Sequence, residues 1–258
     1  MKKIILVNKK EGHTPLEALL HFKKKNLEYK NMPMTYAGRL DPMASGLLLI
    51  LAGEEVKNKE KYLKLDKEYE FEILFGFATD TYDILGKVQH SYILKNVRML
   101  ELEQKIKQNS KYFTGKFLQK YPKYSSKTIK KVRAGIDFEP EEREVFIKSF
   151  KFVGIKNISA KKLLKNIERR IEKVKGPARN AKGIAFAGGD FRQKEILKIW
   201  RINLYNIRHG AYVAKFKINC SSGTYVRAIA NSLGTKIGIP ALTFSIKRTK
   251  IGKWRRLG

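Results

Sequence analysis

The stretch Lys67-Glu68-Tyr69-Glu70-Phe71-Glu72-Ile73-Leu74-Phe75 alternates between two kinds of side chain. Tyr69, Phe71, Ile73 and Phe75 fall on one side of an extended chain and Glu68, Glu70 and Glu72 on the other, the period of two that marks a half-buried β-strand. Working upstream, Leu47 to Leu51 predicts a second, apolar strand and Lys3 to Val7 a short buried one, with Glu54 to Leu65 reading as a helix. Thr14-Pro15-Leu16-Glu17 reads as a helix start: Thr14 caps, Pro15 takes the first helical position and Glu17 closes a capping box, the helix running to about Leu27. Downstream, Tyr212, Ala214, Phe216 and Ile218 alternate with Lys215 and Lys217. That strand ends in the turn Ser221-Ser222-Gly223, after which Thr224 is expected to cap a helix from Tyr225 to Leu233 that Gly234 stops. Hairpin-like strands with separate helices predict an α+β fold: a mixed, mostly antiparallel sheet flanked by helices.

The 258 residues suffice for one well-buried domain, and 43% hydrophobic with 11% aromatic content excludes a disordered basic tail. Charge is the outlier. Fifty-five Lys and Arg face 24 Asp and Glu, a formal +31. Such an excess repels itself in a compact chain, and a polyanion is the partner that neutralises it. The last acidic side chain is Glu195; from Ile196 to Gly258 the chain carries thirteen Lys and Arg and no Asp or Glu, ending in Lys247-Arg248-Thr249-Lys250-Ile251-Gly252-Lys253-Trp254-Arg255-Arg256. That balance predicts an RNA-facing surface, although a solvated lysine-rich surface gives the same composition. Cys220 stands alone, which excludes an internal disulfide and fits a reducing cytosol. No stretch approaches the ~20 apolar residues of a membrane span, and the apolar run at the N-terminus is too short for a signal peptide. A soluble cytoplasmic protein is expected.

Residues from about 155 to 198 stand apart. Leu164, Ile167, Ile171 and Val174 recur at helical spacing among lysines and arginines, and Gly183-Ile184-Ala185-Phe186-Ala187-Gly188-Gly189 follows. An amphipathic helix plus a loop or hairpin is predicted.

Most catalytic sets are missing from the sequence. His13, His21, His90 and His209 lack metal-ligand spacing, one cysteine cannot build a zinc cluster, and there is no P-loop, dinucleotide fingerprint or G-x-S-x-G elbow. What remains is Gly38-Arg39-Leu40-Asp41-Pro42-Met43-Ala44-Ser45-Gly46-Leu47-Leu48-Leu49. Pro42 disfavours helix at Asp41, so the carboxylate is expected on a loop at the edge of a sheet. On its own such an Asp is more often a turn residue or a helix cap than a catalytic group.

This segment resembles the catalytic loop of pseudouridine synthases, and four further stretches resemble the TruB branch in the right order. Lys9-Lys10-Glu11-Gly12-His13-Thr14 is similar to its K-P-x-G-x-T/S element. Lys67-Glu68-Tyr69 with Gly76-Phe77-Ala78-Thr79-Asp80-Thr81-Tyr82-Asp83-Ile84-Leu85-Gly86 is similar to K-x-Y and G-x-x-T-D-T-x-D-x-x-G. Gln119-Lys120-Tyr121-Pro122-Lys123-Tyr124-Ser125-Ser126-Lys127 resembles a shortened Q-x-P-x-x-S-A-x-K. Cys220-Ser221-Ser222-Gly223-Thr224-Tyr225-Val226-Arg227 resembles C-S-x-G-T-Y-I-R, and Ala241 with Ile246-Lys247-Arg248 fits the closing A-x4-L-R-R. None of these motifs reaches 155–198.

The resemblance implies the pseudouridine synthase fold and conversion of uridine to pseudouridine in the T loop of tRNA, at the position numbered 55, by a monomer with no cofactor and no metal. Asp41 is then the nucleophile, Tyr69 the aromatic against the target base and Arg227 the partner of Asp41, while Tyr225 and Ile246 line the base pocket. The chemistry suits an aspartate. Breaking N1–C1′, turning the uracil and rejoining it through C5 calls for a carboxylate that attacks the sugar or helps remove a proton from it. Taken without the resemblance, Tyr69 also reads as a core tyrosine, Arg227 as a surface arginine, and Tyr225 and Ile246 as packing residues.

The pattern also departs from the family. Tyr36 stands where TruB proteins usually carry a histidine that stacks in the opened RNA loop; it keeps a flat face without ring nitrogens. Arg39 stands where they often carry a small residue and where RluA-type enzymes carry an arginine that can fill the gap left by a flipped base. The C-terminal PUA-like RNA-binding module common in the family is expected to be absent or vestigial, residues 1–258 forming the catalytic domain and 155–198 a basic insertion that grips tRNA in its place. Competing readings are a synthase acting on ribosomal RNA or within a guide-RNA particle, and a non-catalytic RNA-binding or RNA-folding protein on the same scaffold.

Overall fold

The computed structural model describes residues 2–92, 94–125, 127–174, 191–205, 207 and 210–255. Its centre is β4 (Lys67–Phe75), paired antiparallel on one side with β9 (Ala211–Cys220) and on the other with β10 (Ala241–Ile251). Next to β9 lie β8 (Glu142–Ile158) and β7 (Gly115–Lys120). Beyond β10 come β3 (Ala44–Ala52) and β1 (Ile4–Lys9), with β2 (Met34–Ala37) also on β3 and β11 (Trp254–Arg255) on β10. Of the nine strands' pairings only β3 with β10 is parallel. The expected α+β architecture with a mixed, mostly antiparallel sheet is therefore present. A separate hairpin, β5 (Phe77–Thr79) and β6 (Val88–Ser91), completes the strands.

The alternation in β4 has the predicted consequence. Phe71, Ile73 and Phe75 are buried among Phe150, Phe216 and Ile218, and the helices α3 (Met99–Ser110) and α7 (Val226–Ile237) close over them with Leu102, Ile106, Ile229 and Leu233. Full burial of each such side chain contributes roughly 1.5–3 kcal/mol of transfer free energy. The glutamates on the other face meet lysines on β9, β8 and β10: Glu70 with Lys217 at 3.1 Å, Glu72 with Lys156 at 3.1 Å, and Glu68 with Lys250 at 3.1 Å. At the far end of that face Leu74, Val213, Leu242 and Phe244 are buried under a second helical layer, α5 (Ala160–Ile171) and α6 (Gln193–Tyr205), through Leu163, Ile167, Ile171, Ile196 and Trp200.

Local expectations fare unevenly. The helix α1 (Pro15–Lys25) begins with the predicted capping box, Thr14 accepting from the Glu17 N–H and the Glu17 carboxylate from the Thr14 N–H. Residues 54–65 form a 3-10 turn, Gly53–Asn58, and the short helix α2 (Lys59–Leu63). The segment 155–198 holds the end of β8, the helix α5 and the start of α6; its glycine stretch 183–189 lies outside the described residues. A short helix α4 (Ile129–Arg133) precedes β8.

Two helix-end predictions fail. Thr224 does not cap α7: its hydroxyl turns back to the Ser221 carbonyl at 3.0 Å, and Tyr225 holds the cap position. Nor does Gly234 stop the helix, which continues to Ile237 and ends at the left-handed Gly238 (φ 77°). Gly234 is there for packing, because a Cβ would sit 2.7 Å from the Ala241 Cβ and 2.8 Å from the Ile239 carbonyl oxygen. Both obstacles belong to backbone or to a side chain with no freedom to turn away. Gly234→Ala is therefore expected to cost about 1–3 kcal/mol by overpacking, despite the better helix propensity of alanine, and a denaturant titration measures it.

Candidate active site

Asp41 lies in the loop between β2 and β3, as Pro42 predicts. The loop is pinned from behind: the Gly12 N–H donates to the Pro42 carbonyl at 2.9 Å and Ala44 N–H to the Asp41 carbonyl at 3.0 Å. Arg227, in the first turn of α7, reaches across to it. Its Nε donates to Asp41 Oδ2 at 2.8 Å and its Nη2 to Oδ1 at 3.1 Å, a bidentate pair. The Asp41 side chain stays 37% exposed while that of Arg227 is 4% exposed, so the carboxylate remains open to a ligand and the guanidinium is buried behind it.

A buried guanidinium must have its donors satisfied. Nη1 of Arg227 donates to the Thr81 carbonyl at 2.6 Å and Nη2 also to that of Tyr124 at 3.2 Å. Asp83 stands on the other side, its Oδ2 3.7 Å from Nε. Burial works against the Arg227 charge, but Asp41 and Asp83 together outweigh it and hold the group above its ordinary pKa. For Asp83 burial wins and its pKa is raised, with Arg227 opposing the rise. Asp83 was not among the predicted site residues, although the motif containing it was.

The Thr79–Gly86 turn exists to present these groups. Thr79 Oγ1 donates to the Asp83 carbonyl at 2.7 Å, Thr81 Oγ1 to Asp83 Oδ1 at 2.8 Å, and Leu85 N–H to the same oxygen at 2.9 Å. Tyr82 adopts φ 62°, uncommon for a residue with a side chain, and its carbonyl accepts from the Thr243 N–H at 2.9 Å. Gly86 has no room for a Cβ, which would lie 2.7 Å from Asp80 Oδ1.

The other predicted residues divide. Ile246, on β10, lines a small cavity together with Asp41, Asp83, Met43 and Ala44. Tyr69, on β4, packs against the cluster that contains Ile246, Leu40 and Ala44; burial raises its hydroxyl pKa, with Arg248 opposing. Tyr225 precedes Arg227 by two residues, is held by both ends of the Gln119 amide at 2.8 and 3.1 Å, and meets Tyr121 edge-on at 5.6 Å. Tyr36 is not brought to this group: it packs on the α1 side with Ile5, Leu19 and Ile50, and Lys59 lies 5.8 Å from its ring centre. Arg39 is exposed two residues before Asp41.

Three buried cations underlie the loop that the sequence reading did not assign. Arg248 on β10 donates to the carbonyls of Leu47 (2.7 Å), Gly38 (3.1 Å) and Arg39 (3.4 Å). Lys9 donates to those of His13 (2.6 Å), Lys10 (3.1 Å) and Pro42 (3.5 Å). Lys67 donates to that of Leu63 at 2.7 Å. The signal was present in each strand: a charged residue at an inward position, as in Ile246-x-Arg248. Among the described residues no group of three or more His, Cys, Asp or Glu could hold a metal ion, and no helix is long and apolar enough to cross a membrane.

This geometry stands on a chain whose residues 24–176 match the N-terminal domain of the TruB family pseudouridylate synthases. Over 257 residues it is 30% identical to a tRNA pseudouridine synthase B of Borreliella afzelii (strain PKo), covering 97% of this chain and 70% of that one. It is 28% identical to the protein of the same name from Endomicrobium trichonymphae, covering 96% and 84%. Among solved structures it resembles a chain of an H/ACA RNP bound to a substrate RNA containing 2′-deoxyuridine (TM-score 0.54, 16% identity) and one of a Cbf5-Nop10-Gar1 complex (TM-score 0.55, 15% identity). Each likeness covers 98% of this chain but only about half of the other, 49% and 50%. The fold is that of the pseudouridine synthases, and the chain belongs to the TruB family.

Burial pushes Lys9 and Lys67 down from 10.5 to about 8. Below pH 8 both states hold the proton and the burial penalty is fully present; between about 8 and 10.5 the unfolded chain binds more protons, so stability rises with pH. Each lysine contributes up to about 3 kcal/mol to that rise. Lys9→Met is expected to rise about half as much as the wild type over this window, measured by urea unfolding at stepped pH.

Proposed function

We propose that this chain isomerises uridine to pseudouridine in the T loop of tRNA, at the position numbered 55, with Asp41 as nucleophile acting on a nucleotide flipped out of the RNA. It acts as a monomer in the cytoplasm and needs no cofactor. The observation that carries the reading is the bidentate Asp41–Arg227 pair, whose carboxylate lines a small cavity together with Ile246. Family membership and the tRNA named for its curated relatives supply the reaction and the RNA.

The pairing uses one lone pair on each carboxylate oxygen and leaves others for the substrate. Attack at C1′ forms a C1′–O bond as N1–C1′ breaks, and the uracil leaves with the electron pair. After the ring turns, C5 bonds to C1′, the carboxylate is released, C5 loses its proton and N1, freed from the sugar, gains one. The alternative path begins with the same carboxylate removing a proton from the sugar. Tyr69 and Ile246 supply an apolar face for the base in either case, Tyr225 lines the pocket, and Arg39, exposed two residues before Asp41, meets the RNA around the vacated position.

Asp41→Asn keeps the shape of the side chain and loses the charge. Nuclease digestion and chromatography of unmodified tRNA treated with this variant are expected to show no pseudouridine, while tRNA affinity stays nearly unchanged. Product from the variant contradicts the reading. Activity of the wild type on an isolated T-arm stem-loop, with no other RNA present, separates it from guide-directed and ribosomal alternatives.

The chain is read as one catalytic domain in which the 155–198 segment is a basic insertion that grips the RNA. Lys161, Lys162, Lys165 and Arg169 are exposed on α5, whereas Leu163, Ile167 and Ile171 are core. Deletion would therefore confound RNA binding with folding, and charge removal is the cleaner test. The triple substitution Lys161→Gln, Lys165→Gln, Arg169→Gln is expected to weaken tRNA binding and flatten the dependence of log Kd on log salt by about 2. Unchanged affinity across the salt titration contradicts this role.

A further inference from the structure

Arg192 immediately precedes α6 and adopts φ 55°. Its side chain is 27% exposed and joins two loops far apart in sequence. Nη1 lies 2.9 Å from Asp80 Oδ2, and the same nitrogen donates to the Tyr124 hydroxyl at 3.1 Å. The guanidinium carbon sits 4.6 Å from the centre of the Tyr124 ring. These two loops are the ones that hold Arg227: Thr81, next to Asp80, gives its carbonyl to Nη1, and Tyr124 gives its carbonyl to Nη2.

Arg192 is itself firmly mounted. Trp200 of α6 is fully buried, its indole N–H donates to the Ile84 carbonyl at 3.1 Å, and its ring packs 5.2 Å from Phe77. Gln193 donates to the carbonyls of Ile171 (2.9 Å) and Val174 (2.6 Å), locking α6 to the end of α5. There Arg170 makes a bidentate pair with Glu11 at 2.9 and 2.7 Å, beside the Gly12 that pins Pro42. The end of the helical pair where α5 and α6 meet thus touches the loops of the site at two points, Glu11 and Asp80.

We propose that Arg192 is a positioning residue of this active site: by clamping Asp80 and Tyr124 it fixes the two carbonyls that orient Arg227, and through Arg227 the carboxylate of Asp41. A planar fork suits this task, since it donates to Asp80 and to the Tyr124 hydroxyl while stacking on the Tyr124 ring. The inference rests on Asp41 and Arg227 being the reacting pair. It gives the basic segment a second role, one that concerns rate and not grip.

The two roles separate kinetically. An arginine that merely met phosphate would, when removed, weaken tRNA binding and leave the rate at saturation alone. A positioning arginine does the reverse. Arg192→Ala is expected to lower the single-turnover rate of pseudouridine formation at saturating tRNA about 10–100-fold, with a much smaller change in Kd. Asp80→Asn is expected to slow the reaction as well, and the double variant to be no slower than the worse single one, because both remove the same clamp. Tyr124→Phe, which deletes one hydroxyl and keeps the ring, is expected to fold normally and to lose a smaller part of the rate. Thermal melting of each protein shows whether it is folded.

An unchanged saturating rate in folded Arg192→Ala overturns the proposal, as does an effect confined to Kd, or multiplicative losses in the double variant. If the wild type itself makes no pseudouridine in tRNA, the underlying functional reading fails instead. The two failures are therefore distinguishable.

Discussion

A single buried guanidinium organises this molecule's cleft. Arg227 is almost wholly withdrawn from water and carries a fixed charge, so each of its donors must find an acceptor and its charge a counter-charge. Asp41 and Asp83 supply the charge, and the Thr81 and Tyr124 carbonyls supply the remaining acceptors. Removing one member of such a set leaves a buried group unpaired at a cost of about 3–5 kcal/mol. The turn around Tyr82, the loop before α4 and the start of α7 are all shaped by that requirement.

The sheet carries the site from below. The parallel pairing of β10 with β3 brings Arg248 beside Gly46, where any Cβ would run into the Arg248 backbone. From that position Arg248 reaches the carbonyls of Gly38 and Arg39 and holds the loop that carries Asp41. Lys9 grips the loop from the β1 side. Among the described residues Asp41 has a single direct ion-pair partner, the buried Arg227. The fold thereby presents a carboxylate-guanidinium pair whose carboxylate lines a small cavity with Ile246, flanked by Tyr69.

Much of this was legible in the sequence where local rules decide. The capping box at Thr14 and the alternation of β4 need only neighbouring residues, and both are present. The long strand β8 was not read, because bulges between Ile147 and Ser149 and between Phe152 and Gly154 shift its alternation out of phase. Gly234 reads locally as a helix end, but its real constraint is the approach of Ala241, a tertiary fact. At the site, the motifs located Asp41 and Arg227, and the fold brings them into contact. Tyr36 shows the limit of adjacency in sequence: it is five residues from Asp41, yet its strand turns it toward α1. Arg248, Lys9 and Asp83 escaped notice because a pattern of polar and apolar positions is silent about which buried charges meet.

The proposed reaction requires an everted nucleotide to meet the side chain at position 41 within a walled pocket. The most direct measurement is a structure of the Asp41→Asn protein bound to a T-arm stem-loop. It should show the target nucleotide out of the stack, its C1′ within about 3.5 Å of the side chain at position 41, and its base against Tyr69. An arm bound with that nucleotide still stacked in its loop, or seated on a surface away from Arg227, contradicts it.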